Sequence, residues 1–598
     1  MEDNQIKYRW KLEDLYPNDA AWEKEKDEIK AALSSIKDYQ GKLTNAEQLF
    51  ECLDFNSSVS KEIQRLYSYA HMKSDEDTKI SKYQAMKQEV IHVSTSYSSM
   101  AAYIEPEIIA LGRKKINEHL DSTEDLKIYQ PYLDNLFRQQ AHTLSEKEEK
   151  IMAEAGLLAD SPYSIFSVFS NAELPYPDIT LESGEKVRLN STMYSKHRAS
   201  PNREERKKVF DHFWVTMKQF KSTFGEQLYA GLKVDVFRSR TRKYESSLHA
   251  ALDTYNIPRD VYLKLIDNVN KNFDSFHRYL NIRKRLLKLN TLYYYDVYAP
   301  SGKNYTEKYA YDKATQLILK ALAPLGEEYV HIVRKAFSER WIDVYPAPTK
   351  KSGAYSSGSA YDVHPYILLN YNEQYNDVST LAHELGHTMH SYLSNKCQPF
   401  PSADYSIFVA EVASTFNEVL LFQKVLDETH DEKAKLSLLM NHLDGFKGTL
   451  FRQTQFAEFE LKIHELVESG KPLTGDDFTT LYGEIIDKYY GTEKGIMEID
   501  DLYKHEWTFI PHFYYNFYVY QYATSFTASI ALAEKVLAKE KGALEKYLAF
   551  LSSGSSDYPV NLLKKAGVDM LTDDPFTKTM KAMNGYMDVV EDILKKHE

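Results

Sequence analysis

The stretch Ser379 to Asn395, STLAHELGHTMHSYLSN, sets His383, Glu384 and His387 within five positions of one another. Residues four apart on a helix share one face about a turn apart, so the two imidazoles project toward a common point. A single Zn²⁺ held by ring nitrogens at ~2.0–2.1 Å asks for that arrangement. Glu384, one residue past the first histidine, is aligned to reach a water on the ion and not to ligate it. Leu381, Leu385, Met389 and Leu393 form a separate apolar stripe that docks the helix in a core, and Asn376-Asp377 offers an N-cap ahead of it. Gly386 weakens the helix by about 1 kcal/mol against alanine, which points to a close approach by other backbone there. The competing reading is a helix whose histidines are satisfied inside a core. Ile463-His464-Glu465-Leu466 looks similar but carries Glu468 where the second histidine would stand, and it reads as an ordinary helix face.

Two histidines do not complete a catalytic zinc site, which uses three protein ligands and keeps a fourth position open. His390 lies on the same face as His383 but about 10 Å along the axis, at ~1.5 Å per residue. It is expected to support or pack, and the third ligand must come from elsewhere. The segment Tyr405 to Leu421, YSIFVAEVASTFNEVLL, is a strongly apolar helix with one polar seam, Glu411, Ser414 and Glu418 at i, i+3 and i+7. An ionised glutamate in such surroundings is costly unless it meets a cation or strong donors. Glu411 as third ligand, with Ser414 and Glu418 behind it to orient an imidazole, removes that cost. The alternative is a surface helix with solvated glutamates.

Forty-six tyrosines are the one clear compositional excess. They suit either a wet aromatic surface that binds something polar and extended, or a half-buried helical core in which tyrosine replaces phenylalanine. They crowd in His505 to Gln521, HEWTFIPHFYYNFYVYQ, where hydroxyls and a histidine N–H are suitable donors to an oxyanion, or simply aromatic packing. A net charge of −13 without a sustained basic run argues against nucleic acid or an anionic membrane as partner. Cys52 and Cys397 are the only cysteines, so neither a disulfide framework nor a thiolate metal site is expected. The charged start MEDNQIKYRWKLEDLYP lacks an apolar signal core, and no later run reaches ~18 apolar residues. The expectation is a soluble cytoplasmic protein.

Helical periodicity dominates the first part, over Asn18 to Asp38, Asn45 to Asp75 and Lys79 to about Leu111. Ser145 to Glu148 is a capping box opening a helix to about Ala159. PDITLESGEKVRLN alternates around Ser183-Gly184 and predicts a β-hairpin. A long helical pattern follows from Asn202, and Pro258 is expected in the first turn of another helix. Tyr293 to Tyr298 and Tyr361 to Asn370 lean toward strand. A mainly α chain with one small sheet results, divided near residue 190 into an N-terminal helical lobe (1–190) and a catalytic domain (191–598).

His383-Glu384-Leu-Gly-His387, Phe408-Val-Ala-Glu411-Val-Ala-Ser414 and Ile510-Pro-His512-Phe-Tyr-Tyr515-Asn-Phe-Tyr518 resemble oligoendopeptidase F, in the thimet oligopeptidase and neurolysin superfamily of zinc peptidases. KYRWKLEDLYP, FSVFSNAELPYP and SGAYSSGSAYDVHPYILLNYN extend the resemblance over nearly the whole chain. It implies a two-lobed helical ellipsoid with a deep channel that admits flexible oligopeptides. It implies one zinc ion on His383, His387 and Glu411, Glu384 as base, and His512 with nearby tyrosines as stabilisers of the transition state. Phe517 stands where simple counting places a tyrosine, whereas a seven-residue spacing selects Tyr515 and Tyr522, with Tyr518 in reserve.

The expected activity is therefore zinc-dependent cleavage of internal bonds in short peptides. Tyr361 to Asn370, with His364 and Tyr366, is expected to be an edge strand on which the substrate backbone pairs. Gly353 and Gly358 ahead of it are expected to let their loop close. A zinc carboxypeptidase on a similar frame, or a peptide-binding protein with a structural metal, are the alternatives. Only three credible ligands, where a structural site is closed by four, weigh against the latter.

Overall fold

Helix capping sets the frame. A computed structural model describes residues 6–300 and 308–597, of which the great majority are helical and few lie in strands. Asn18 accepts from Ala21 N at 3.0 Å to open Asp19–Ala32, and Asn45 accepts from Glu47 N and Gln48 N to open Ala46–Glu76. The third early pattern divides into Ser81–Ala101 and Ile104–Leu111. The Ser145–Glu148 box forms, with Ser145 N donating to Glu148 Oε2 at 2.9 Å, and opens Glu146–Ala159. The run from Asn202 breaks at Phe220 into Arg203–Gln219 and Lys221–Thr241, and Pro258 is the N-cap of Arg259–Lys271, one position earlier than expected.

Strands β1 (Asp178–Thr180) and β2 (Lys186–Arg188) pair antiparallel with Ile179 opposite Val187, and Gly184 at φ +84 makes their turn. Tyr293 to Tyr298, expected as strand, is instead a short 3-10 helix, Tyr294–Tyr298. The cause is Asp296: fully buried, it accepts from Tyr293 N, Arg203 and Arg206, and a turn brings those donors together. Three further strands, β3 (Ile342–Asp343), β4 (Tyr355–Ser357) and β5 (Tyr366–Leu368), form one sheet in the order β3-β5-β4, with β5 parallel to β3 and antiparallel to β4.

The chain forms two units, each assembled from three stretches. The first comprises Met1–Ala141, Thr306–Val425 and Leu532–Val568; the second comprises His142–Tyr305, Leu426–Ala531 and Asp569–Glu598. Residue 190 lies inside the second unit. In the first, Trp10, Trp22 and the apolar faces of the early helices pack with Tyr366 and Leu368 of β5, and Trp22 Nε1 donates to Leu66 O at 2.9 Å. In the second, Tyr194 stacks on Phe213 with centroids 4.0 Å apart, and Phe276 on Phe451 at 4.5 Å. Tyr194, Tyr262, Tyr279, Tyr294, Tyr482 and Tyr489 are fully buried, so core packing accounts for a substantial part of the tyrosine excess. Among the described residues no helix is long and apolar enough to cross a membrane.

Candidate metal centre

Two helices of the first unit build the centre. The histidine helix spans Tyr375–Cys397 and begins one turn earlier than Asn376-Asp377 suggested. Asp377 acts from inside that turn: its Oδ2 accepts from Gln374 N at 2.8 Å and Asn372 N at 3.0 Å. Leu381, Leu385 and Met389 are fully buried and Leu393 half-buried, so the apolar stripe docks the helix as its spacing predicts. Strand β4 rests on the same helix, with Ser356 Oγ 2.8 Å from Thr388 Oγ1.

The glutamate helix spans Ile407–Glu428 and crosses the histidine helix at Gly386. A Cβ on Gly386 would lie 2.4 Å from Ala413 O, 2.5 Å from Ser414 Cα and 2.7 Å from Ala413 C. Those atoms are backbone, so only glycine permits this approach. Asn417 straps the crossing, donating from Nδ2 to Ala382 O at 3.2 Å while its Oδ1 accepts from Tyr329 OH.

The crossing brings Glu411 to the two histidines. His383 Nε2 and His387 Nε2 are 3.2 Å apart, and Glu411 Oε2 lies 3.3 Å from the first and 3.5 Å from the second. Ligand atoms around a tetrahedral ion with bonds of ~2.0–2.1 Å are about 3.3–3.4 Å apart, so all three separations match the edges of one such tetrahedron. The residues on the second ring are in place too. His383 Nδ1 is 2.6 Å from Glu418 Oε1, which holds a ring proton there and turns Nε2 toward Glu411 and His387 as the nitrogen that would meet an ion. Ser414 Oγ donates to Glu411 Oε2 at 2.8 Å, and Ser379 Oγ to Glu418 Oε2 at 3.3 Å.

Charge supports the same conclusion. Burial opposes a charged imidazole at His383, yet hydrogen bonds and charge from Glu411 and Glu418 outweigh it and raise its pKa to about 10. Burial likewise opposes an ionised Glu411, but His383 and His387 hold it well below the usual carboxylate range. The His383 ring thus keeps a second proton against the ionised Glu411 when no ion is present, and a divalent cation is the natural replacement for that proton. Glu384 is 6 % exposed, and burial pushes its carboxyl upward against the pull of the two histidines. The described residues hold one group of three such ligands within 4.8 Å of one another, His383, His387 and Glu411.

Other expected residues fall elsewhere. His390 stacks on Tyr405 at 3.6 Å and is fully buried, which pushes its pKa down to about 3 and leaves it a neutral packing ring. The expected edge strand is not at an edge: β5 is the central strand, hydrogen-bonded on both sides, and β4 lies at the edge. Tyr366 is 1 % exposed and its hydroxyl donates to Lys11 O at 2.9 Å, while His364 stacks on Trp341 at 4.4 Å beside Asp14. Tyr366 is thereby a structural group of the first unit, buried away from any peptide, and His364 is a half-buried ring held in that stack. Gly358 is a point of close approach to the histidine helix, where its Cβ would lie 2.3 Å from Ser391 Cβ, and Asn395 Nδ2 donates to its carbonyl. Near-contact explains that glycine without a hinge.

The second unit carries the tyrosine segment. The His512 ring neighbours those of Tyr515, Tyr518 and Tyr522 at 5.5, 6.2 and 6.1 Å. Burial lowers the His512 pKa, so the ring is neutral and one nitrogen carries a donor hydrogen. Burial, with a hydrogen bond of 2.8 Å to Tyr163 OH, raises the Tyr515 hydroxyl to about 12. Phe517 turns the other way, 2 % exposed, against Tyr262 and His464. His464, expected on an ordinary helix face, is itself buried, with Nε2 3.3 Å from Asp235. Tyr163 and Ser379 escaped the sequence reading. Ser379 stands one turn before His383, a spacing that could have been noticed, whereas Tyr163 meets its partner across 352 positions and leaves no local signal.

Residues 197–582 match the model of peptidase family M3, and residues 107–176 match that of oligopeptidase F. The chain is 42 % identical over 588 residues to oligopeptidase PepF of Bacillus subtilis, covering 98 % of this chain and 87 % of that one. It is 39 % identical over 593 residues to an oligoendopeptidase F homolog of Lactococcus lactis, covering 99 % and 98 %. Among solved structures, oligoendopeptidase-F from Enterococcus faecium superposes with a TM-score of 0.74 at 34 % identity over 97 % of this chain and 99 % of that one. A crystallised Chlamydophila abortus protein superposes with a TM-score of 0.92 at 38 % identity over 98 % of each.

Two outcomes follow for the centre. Gly386→Ala is expected to force the helices apart and lower metal affinity about ten-fold or more at nearly unchanged helicity, read by metal titration of stripped protein beside circular dichroism. Glu418→Gln, which removes the charge behind His383, is expected to lower metal affinity by about 10–100-fold, and an affinity within two-fold of the parent would show Glu418 to be a bystander.

Proposed function

The chain belongs to peptidase family M3, and from that membership we propose that it is a zinc-dependent endopeptidase that cleaves internal bonds of short, unfolded oligopeptides. One observation carries the reading: three donors of the types zinc prefers, two imidazole nitrogens and a carboxylate oxygen, meet at tetrahedral edge lengths on two helices locked at Gly386. His383, His387 and Glu411 would hold the ion, leaving a fourth position open. Bound there, zinc would supply Lewis-acid activation of a water and of the scissile carbonyl.

The chain's own residues carry the proton and hold the charge. Glu384 takes the proton of the attacking water and passes it to the departing amine nitrogen, as a general base and then a general acid. Its burial, which raises its proton affinity, suits a group that must keep the proton until the C–N bond breaks. Glu418 holds the Nδ1 hydrogen of His383, and Ser414 fixes the Glu411 oxygen, so neither donor reorganises during turnover. His512, with Tyr515, Tyr518 or Tyr522, donates hydrogen bonds to the oxyanion formed at the carbonyl carbon; the high pKa of the Tyr515 hydroxyl keeps it a donor at neutral pH.

Glu384→Gln is expected to bind one zinc per chain and to lose cleavage by about 10²–10⁴-fold, measured by metal analysis beside mass spectrometry of a peptide blocked at both ends. A chelator should abolish cleavage in the parent and added zinc restore it. Full activity of Glu384→Gln would overturn the assignment of the base, and cleavage only of peptides with a free C-terminus would turn the reading toward a carboxypeptidase.

A further inference from the structure

The second unit of this acidic protein holds a group of cations that its own carboxylates only half neutralise. Arg283 pairs with Asp444 at 2.9 Å and Arg452 with Glu506 at 2.7 Å. Arg198 and Lys447 stand beside them without a carboxylate: among the described residues neither makes an ion pair. Both lean instead on one ring, Arg198 Cζ 4.2 Å and Lys447 Nζ 4.8 Å from the centroid of Tyr298. Lys447 Nζ donates one hydrogen bond, to Val297 O at 3.2 Å, and its other two donors have no partner among the described residues. Burial lowers its pKa to about 8; the charge of Asp444 opposes that shift, and Arg283, Arg452 and Arg198 add to it.

A half-buried cation with no carboxylate at hydrogen-bond distance is costly, and two side by side more so. Local architecture leaves room for a third party. Lys447 sits in a π-helical turn, Phe446–Phe451, a form that recurs at functional sites. Gly445 and Gly448 flank it, and a Cβ on either would meet nothing within 4 Å. The chain neutralises its neighbouring cations with carboxylates at hydrogen-bond distance, so the chemistry that would complete this group is one more carboxylate. The element is also joined to the tyrosine segment: Arg452 lies over the ring of Phe456 at 4.6 Å, and Phe456 meets Phe513, next to His512, at 5.5 Å.

We propose that Lys447 and Arg198, gathered on Tyr298, form a carboxylate-binding subsite of the second unit that recognises an anionic group of the peptide substrate. It rests on the peptidase reading above. The carboxylate has two sources, the free C-terminus of a short peptide or an acidic side chain within it, and recognition of the first makes the enzyme sensitive to where a peptide ends.

The test uses the full chain and two peptide pairs of one sequence: free acid against C-terminal carboxamide, and an internal Glu against Gln. Binding is measured by fluorescence anisotropy on Glu384→Gln, which does not turn over, and cleavage is measured on the parent enzyme. The expected result is about ten-fold tighter binding and a correspondingly lower KM for the carboxylate member of at least one pair, a ratio that collapses toward one in both Lys447→Met and Arg198→Met. A ratio confined to the first pair names the C-terminus as the ligand; one confined to the second names the side chain. Equal affinity within both pairs, or a ratio that persists in both variants, overturns the subsite. Failure of the parent to cleave any peptide would instead count against the peptidase reading, and the anisotropy arm would still decide the subsite.

Discussion

The contact on which the centre depends is the crossing of two helices at Gly386. Backbone of the glutamate helix fills the volume that any side chain at this position would occupy. A histidine pair four residues apart is common to many helices and cheap to form; what turns it into a three-donor site is a second helix near enough for the short side chain of Glu411 to arrive. The loss of helix propensity at Gly386, about 1 kcal/mol, is the cost of that proximity. Asn417 then fixes the crossing from the other side by spending its amide on Ala382 O, a helix carbonyl one residue before His383.

Electrostatics explains why the donors stay where the crossing puts them. Glu411 and Glu418 flank His383 from opposite ring nitrogens, so the imidazole is held in one orientation by two hydrogen-bonding partners. Empty of metal, such a cluster of carboxylates would repel itself unless protons or imidazolium balanced it, which is what the raised pKa of His383 records. Metal affinity and internal charge balance are therefore one property: the arrangement that most needs a cation is also the one preorganised to bind it. The second unit inverts the pattern, with cations in excess of carboxylates around Tyr298.

Much of the centre was legible in the sequence because it is written in helical spacing. His383 and His387 at i, i+4, and Glu411, Ser414 and Glu418 at i, i+3 and i+7, need no knowledge of the fold to be placed on faces. The close approach at Gly386 was legible as well, though its partner was not, since nothing local links residue 386 to residues 413 and 414. The sheet misled for the opposite reason. Tyr361 to Asn370 has the composition of a strand, but whether a strand lies at an edge depends on what pairs with it, and β3 and β4 are too short to announce themselves. The division near residue 190 read a change in local pattern, whereas the two units are threaded by a chain that passes between them five times.

The tyrosine segment shows where counting stops. A seven-residue spacing selects Tyr515 and Tyr522 only if the chain between them is helical, and it is not. Pro511–Tyr514 is a 3-10 turn, the α-helix begins at Tyr520, and Asn516 and Phe517 between them have φ of +44 and +58. Two successive left-handed residues, neither of them glycine, are a strained arrangement that must be held from outside. Phe517 N donates to the buried Glu460 at 2.6 Å, and its ring is packed against His464 and Tyr262, which turns it inward. That reversal takes Phe517 out of the row and lets Tyr515, Tyr518 and Tyr522 all neighbour the His512 ring. Periodicity is therefore a guide to function only within an unbroken element; across this kink, the buried carboxylate of Glu460 decides which aromatic residues face His512.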